Sequence, residues 1–223
     1  MESAEILAAA AGDGAILLDE IDLPPGLVDV RERFGCSRPA DLDVGFGKGL
    51  SLREWAAARP HGTLLGIEKR RGFALYAAAR LDAPARARVR ALRGDFRALA
   101  PRLRPDGFFR ACSINFPDPW WKRRHQKRQV VCQATVDEIA RLLEPGGELL
   151  LQTDVVDRAE RFREAFTASG QFDDAAGPGS YLPANPTGVR SDREVRCERE
   201  GLVVYRLVFR RRPVRPAEAC RGA

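Results

Sequence analysis

No pair of the five cysteines stands in a C-x-x-C arrangement. Cys36, Cys112, Cys132, Cys197 and Cys220 are odd in number and widely spaced, which argues against a disulfide framework and a zinc cluster and fits a reducing compartment. No apolar run approaches the roughly 20 residues that a membrane-crossing helix needs. The start, MESAEILAAAAGDG, carries acids where a secretion signal carries basic residues. The chain is therefore expected to be cytoplasmic, with no membrane partner and no metal. It has no internal repeat, and its composition implies no oligomeric state.

What is present is enough apolar material, 44% of 223 residues, to bury one sizeable core. Lys and Arg outnumber Asp and Glu by 37 to 31. The excess clusters in Lys122 to Arg128 and again in Arg206 to Arg215, a local distribution of the kind a polyanion-binding surface requires. From Ala40 onward short β-type runs alternate with amphipathic stretches, the pattern of an α/β fold with a mostly parallel sheet and helices on both faces. Strands are expected at Ala40 to Phe46, Thr63 to Lys69, Arg88 to Arg93, Phe108 to Asn115, Glu148 to Thr153 and Leu202 to Arg210. The clearest helix is Gln129 to Leu143, stopped by Glu144-Pro145-Gly146-Gly147. Residues 1–33 read as an arm, 34–212 as the domain and 213–223 as a tail. Asp173 to Gly188, rich in Gly, Pro, Ala and Asn, reads as a surface loop.

The first strand runs into Asp43-Val44-Gly45-Phe46-Gly47-Lys48-Gly49. Gly45 and Gly47 leave the backbone of a strand-to-helix turn open to a ligand. The spacing is G-x-G-x-G; Leu50 stands where a dinucleotide fingerprint has its third glycine, so a pyrophosphate is not the expected occupant. Asp43 suits the amino end of a zwitterionic ligand. Glu68, at the end of the second strand, can accept from both hydroxyls of a ribose, and Asp95, after the third, from an adenine amine. Taken singly, each could be an ordinary turn or a solvated ion pair. Together, one acid per strand end beside a glycine turn describes a nucleoside pocket.

The fourth strand leads into Asn115-Phe116-Pro117-Asp118-Pro119-Trp120-Trp121-Lys122-Arg123-Arg124-His125-Gln126-Lys127-Arg128. Prolines on both sides of Asp118 restrict the backbone and aim its carboxylate. The tryptophans offer flat faces for stacking a base, though core packing competes for them. The five cations suit phosphates or a guanine edge.

This stretch resembles the signature of the bacterial tRNA (guanine-N7)-methyltransferases. The Asp43 to Gly49, Gly66-Ile67-Glu68 and Gly94-Asp95 segments fall in that family's order, and the likeness spans about Phe34 to Phe209. The resemblance implies a Rossmann-like class I methyltransferase fold with a seven-stranded sheet, S-adenosylmethionine as cofactor and a variable-loop guanosine of tRNA as substrate. It implies that Asp43, Gly45, Gly47, Glu68, Asp95 and Asp118 hold the cofactor and that Asp118 occupies the catalytic position. Lys122 and Asp154 match substrate-binding positions, and Arg123, Arg124, Lys127 and Arg128 are expected on the RNA backbone. Ser191-Asp192-Arg193-Glu194 stands in the register of the family's Thr-x-x-Glu element, so Ser191 and Glu194 are carried over as substrate-binding. Competing readings are a class I methyltransferase for another base, a protein or a small molecule; a non-enzymatic RNA-binding relative; and, more remotely, a hydride-transfer enzyme.

Overall fold

A computed structural model describes residues 17–117 and 131–213. In chain order the elements are β1 (Leu17–Asp19), β2 (Val28–Asp29), α1 (Val30–Phe34), β3 (Ala40–Val44), α2 (Leu50–Ala58), β4 (Thr63–Glu68), α3 (Arg71–Ala79), α4 (Ala83–Arg88) and β5 (Val89–Arg93). There follow α5 (Phe96–Leu99), β6 (Leu103–Arg104), β7 (Phe109–Asn115), α6 (Gln133–Leu142), β8 (Leu143–Thr153), α7 (Val156–Ala168), β9 (Phe172–Asp174), α8 (Asp192–Glu200) and β10 (Tyr205–Arg211).

Eight strands form one sheet in the order β1-β5-β4-β3-β7-β8-β10-β9. Only β10 runs antiparallel to its neighbours, β8 and β9. The sheet therefore has one strand more than the seven expected. Both edge strands, β1 and β9, are three residues long, too short to carry an alternating pattern. β1 comes from the stretch read as an arm and pairs in parallel with β5, Leu17 opposite Ala91. Leu23, Val28 and Val30 from the same stretch join the main core. β9 takes the first residues of the expected 173–188 loop.

Side chains alternate across the sheet and build a core on each face. Leu42, Val44, Leu65, Ile67 and Leu92 face a core shared with α1, α5, α6 and α7. Leu64, Val89 and Ala91 face the other, where small alanines of α3 and α4 lie close beside Leu52 and Trp55 of α2. The Glu144–Gly147 turn is absorbed into β8, where the pairing with β7 shifts from Phe109 opposite Leu143 to Ala111 opposite Glu148. The parallel strands all end on one edge, at Val44, Glu68, Arg93, Asn115 and Thr153, and the site is built there.

Candidate active site

The turn after β3 is left-handed at three glycines, with φ of 81° at Gly45, 57° at Gly47 and 85° at Gly49. Their reasons differ. A Cβ at Gly49 would sit 2.5 Å from the Ala77 Cβ of α3, so that glycine lets two helices pack. A Cβ at Gly45 or Gly47 would meet nothing within 4 Å. Those two keep an open backbone surface at the sheet edge.

Glu68 is 7% exposed. Its Oε2 accepts from the Gly47 N–H at 3.0 Å and its Oε1 from the Arg70 N–H at 2.7 Å. The second strand end thus clamps the turn of the first. Asp95 caps α5, accepting from the Arg97 N–H, and pairs with Lys69 at 2.7 Å and Arg97 at 3.0 Å. Burial would raise its pKa, but the hydrogen bonds from Arg97 and Lys69 outweigh it and hold the carboxyl at about 2.

Asp43 is placed differently. It is 2% exposed and accepts from Ser51 Oγ of α2 at 2.6 Å and Ser113 Oγ of β7 at 2.8 Å. Burial pushes its pKa up against those two hydrogen bonds, and the Glu68 charge adds to the rise.

On the other half of the edge, β7 delivers Asn115, Phe116 and Pro117. Asn115 Oδ1 is buried with no hydrogen-bond partner among the described residues. Phe116 has φ of 48°, a left-handed value rare for a bulky residue. Its N–H is held by the Gln152 carbonyl at 2.9 Å, and Arg158 of α7 donates to the Pro117 carbonyl at 2.8 Å. After β8, Asp154 accepts from Arg193 of α8. Ser191 is the N-cap of α8, its Oγ accepting from the Glu194 N–H at 3.2 Å. This task needs a hydroxyl and no methyl group, so serine performs it as threonine would. Asp192 reaches back to the Leu50 N–H at the start of α2, at 3.2 Å.

Glu194 points the other way. It is fully buried and is surrounded by donors: Arg206 at 3.0 Å, Gln152 at 3.1 Å and Asn185 at 2.9 Å.

Between the two halves lies a cavity of about 930 Å³. Among the residues that sequence analysis singled out, Gly45, Gly47, Glu68, Asp95, Asp154 and Ser191 line it; Asp43 and Glu194 do not. Asp118, Lys122, Arg123, Arg124, Lys127 and Arg128 lie outside the described residues. Sequence reasoning missed Asn115, Arg158, Asp192, Arg193, Arg196 and Arg199, which also line the cavity. The three-residue spacing of the last three along a helix was the available signal. Asp192 had none, because its partner is 142 residues away.

Where the Arg206 to Arg215 cluster is described, its arginines have partners within the fold. Arg206 is buried on Glu194, Arg210 pairs with Glu148 at 2.7 Å, Arg211 donates to the Leu143 carbonyl and Arg212 pairs with Asp173 at 2.7 Å. β10 uses these charges to tie itself to its neighbours. Among the described residues no helix is long and apolar enough to cross a membrane, and no group of His, Cys, Asp and Glu could hold a metal ion.

Comparison with known proteins agrees with this layout. The model of a family described as putative methyltransferase matches residues 37–207. The tRNA (guanine-N(7)-)-methyltransferase of Halorhodospira halophila is 37% identical over 199 residues, 86% of this chain and 84% of its own. That of Anaeromyxobacter dehalogenans is 41% identical over 185 residues, 81% of this chain and 90% of its own. Among solved structures, the 16S rRNA methyltransferase KamB has a TM-score of 0.56 at 17% identity, covering 80% of this chain and 90% of its own. The antibiotic-resistance methyltransferase Kmr has a TM-score of 0.54 at 18% identity, covering 83% and 92%. These two show the fold alone, whereas the family match and the closer sequence relatives together show that the chain belongs to the tRNA (guanine-N7)-methyltransferase family.

Proposed function

We propose that this protein transfers a methyl group from S-adenosylmethionine to N7 of a guanosine in tRNA. The observation that carries the reading is the division of the sheet edge. An open glycine turn with Glu68 and Asp95 occupies the β3–β5 half, and Asp154 and Ser191 occupy the other, across one cavity. The names of the relatives at 37% and 41% identity supply the substrate.

The cofactor fits the residues present. Gly45 and Gly47 leave backbone accessible with room where a side chain would stand. Glu68 presents a fixed carboxylate at the strand end to a ribose, and Asp95 lies one strand further out for the base. The cavity is of the size that holds a small-molecule ligand, about 300–1,000 Å³. Asp43, behind the turn, acts as a positioning residue, fixing it through Ser51 and Ser113. When bound, S-adenosylmethionine supplies an electrophilic methyl group.

Guanine N7 carries an in-plane lone pair and loses no proton on methylation, so no strong base is required. The task of the protein is alignment, which alone can supply roughly 7 to 11 kcal/mol of a barrier. Charge arrives on the purine during transfer, and carboxylates near the base stabilise it. In this reading Asp118 is the catalytic group, orienting the reactants and countering that charge, and Asp154 accepts from the guanine edge. Glu194 supports the edge indirectly through Arg206 and Gln152. Lys122, Arg123, Arg124, Lys127 and Arg128 hold the RNA.

Calorimetry and turnover on one pair of proteins test this. The wild type is expected to bind S-adenosylmethionine and not NAD. Asp118→Ala should cut turnover by orders of magnitude while cofactor affinity changes far less. Equal losses in both would remove Asp118 from the chemistry, and NAD binding would remove the methyl-transfer reading.

A further inference from the structure

The arginines of this fold differ in how they are held. Several are fixed inside it: Arg90 donates to the Phe34 carbonyl at 2.6 Å, Arg88 to the Ala56 carbonyl at 2.7 Å and Arg141 to the Ala100 carbonyl at 2.6 Å. Those of α8 differ. Arg193, Arg196 and Arg199 recur every three residues, and at 100° per residue they drift only about 60° per step, so all three fall on one side of the helix. That side lines the cavity, while Glu194 and Cys197 on the opposite side are fully buried.

Arg193 is engaged by Asp154. Arg196 and Arg199 have side chains 58% and 76% exposed and share a single carboxylate, Glu200, at 2.7 Å and 3.9 Å. One carboxylate cannot neutralise two guanidinium groups, so the stripe keeps positive charge. The cavity as a whole is lined by eight Lys and Arg against four Asp and Glu. Of its carboxylates, Glu68 and Asp95 belong to the β4–β5 side, Asp154 is taken by Arg193 and Asp192 by the Leu50 N–H. The helix is also held in place relative to the glycine turn: Asp192 accepts from the Leu50 N–H, and Arg190, just before the helix, pairs with Glu54 of α2 at 2.7 Å.

We propose that Arg196 and Arg199 of α8 form a phosphate-binding wall for the RNA substrate, separate from the basic run at Lys122 to Arg128, with Glu200 as an intramolecular competitor that the phosphates displace. A planar guanidinium presents the paired donors that a phosphate accepts. The two residues lie about 4.5 Å apart along the helix axis at 1.5 Å per residue, so they can engage neighbouring parts of one backbone. The proposal rests on the tRNA reading above.

Its test is tRNA binding measured over a series of salt concentrations for the full chain, the Arg196→Ala/Arg199→Ala double variant and Glu200→Gln, with S-adenosylmethionine affinity as the check on folding. The double variant is expected to bind tRNA more weakly, with the slope of log affinity against log salt reduced by about 2, roughly 1 per guanidinium lost. Glu200→Gln should bind tRNA several-fold more tightly. Wild-type affinity and slope in the double variant, or unchanged or weaker binding by Glu200→Gln, would overturn the wall while leaving tRNA as the substrate. Absence of tRNA binding by the wild type would overturn the underlying reading as well, and that arm is read on its own.

Discussion

Asp43 keeps its carboxyl group inside the sheet, where Ser51 and Ser113 are its hydrogen-bond donors. Burial raises its pKa in the folded protein. A carboxyl whose folded pKa lies above its unfolded value, about 3.9 for Asp, favours folding while it is protonated. It loses that advantage as the pH rises through the folded value. Ionised Asp43 is therefore a burden on the fold at neutral pH. Asp43→Asn, which keeps a side chain that the two serines can hydrogen-bond, should raise the melting temperature at pH 7, by about 2–4 °C for each kcal/mol recovered. The gain should shrink as the pH falls into the carboxylate range. Thermal unfolding at several pH values measures this, and an Asn variant less stable at pH 7 would show that the charge is compensated. The sequence made an acid before the glycine turn legible; it did not show that two serines, 8 and 70 residues away, turn its carboxylate from the cavity. Glu68 and Asp95 were legible because one ends a strand and the other follows a strand end, and the order of strands alone delivers them to the same edge.

At the scale of elements, α8 carries the largest difference between pattern and role. Ser191 and Glu194 stand at the spacing of a capping box, and the Ser191 hydroxyl does cap the helix. The Glu194 side chain turns inward to Arg206, which is itself 9% exposed. The reason is β10: Arg206 sits opposite Gln152 of β8 on the face that α8 covers, and a buried guanidinium requires a carboxylate. Removing one partner of such a pair typically costs about 3–5 kcal/mol, because the other charge stays buried. Glu194→Ala should lower the urea midpoint accordingly. Wild-type stability with loss of tRNA methylation alone would instead place Glu194 at the substrate. The second basic cluster is also tied into the fold: Arg206, Arg210 and Arg211 of β10, and Arg212 just after it, each have a partner there, and a count of charges along the chain contains no partners.

For the whole molecule, the parallel sheet was legible because its central strands are buried on both faces and read as apolar runs separated by helical stretches. The edges were not, since β1 and β9 derive their stability from their neighbours and carry no pattern of their own. The cavity follows the same rule. Its glycine turn and strand-end acids are local features, whereas the wall formed by α8 depends on Asp192 reaching Leu50 and Arg190 reaching Glu54, contacts across more than 130 residues. The fold and the glycine-turn half of the cavity come from the chain's local order; the α8 half comes from its long-range packing. The most direct measurement of the central claim is nucleoside mass spectrometry on tRNA incubated with the protein and labelled S-adenosylmethionine. Labelled 7-methylguanosine, absent with Asp118→Ala, is the expected product; labelled methyl groups only on another atom, or none in tRNA, would rule out methyl transfer to guanine N7.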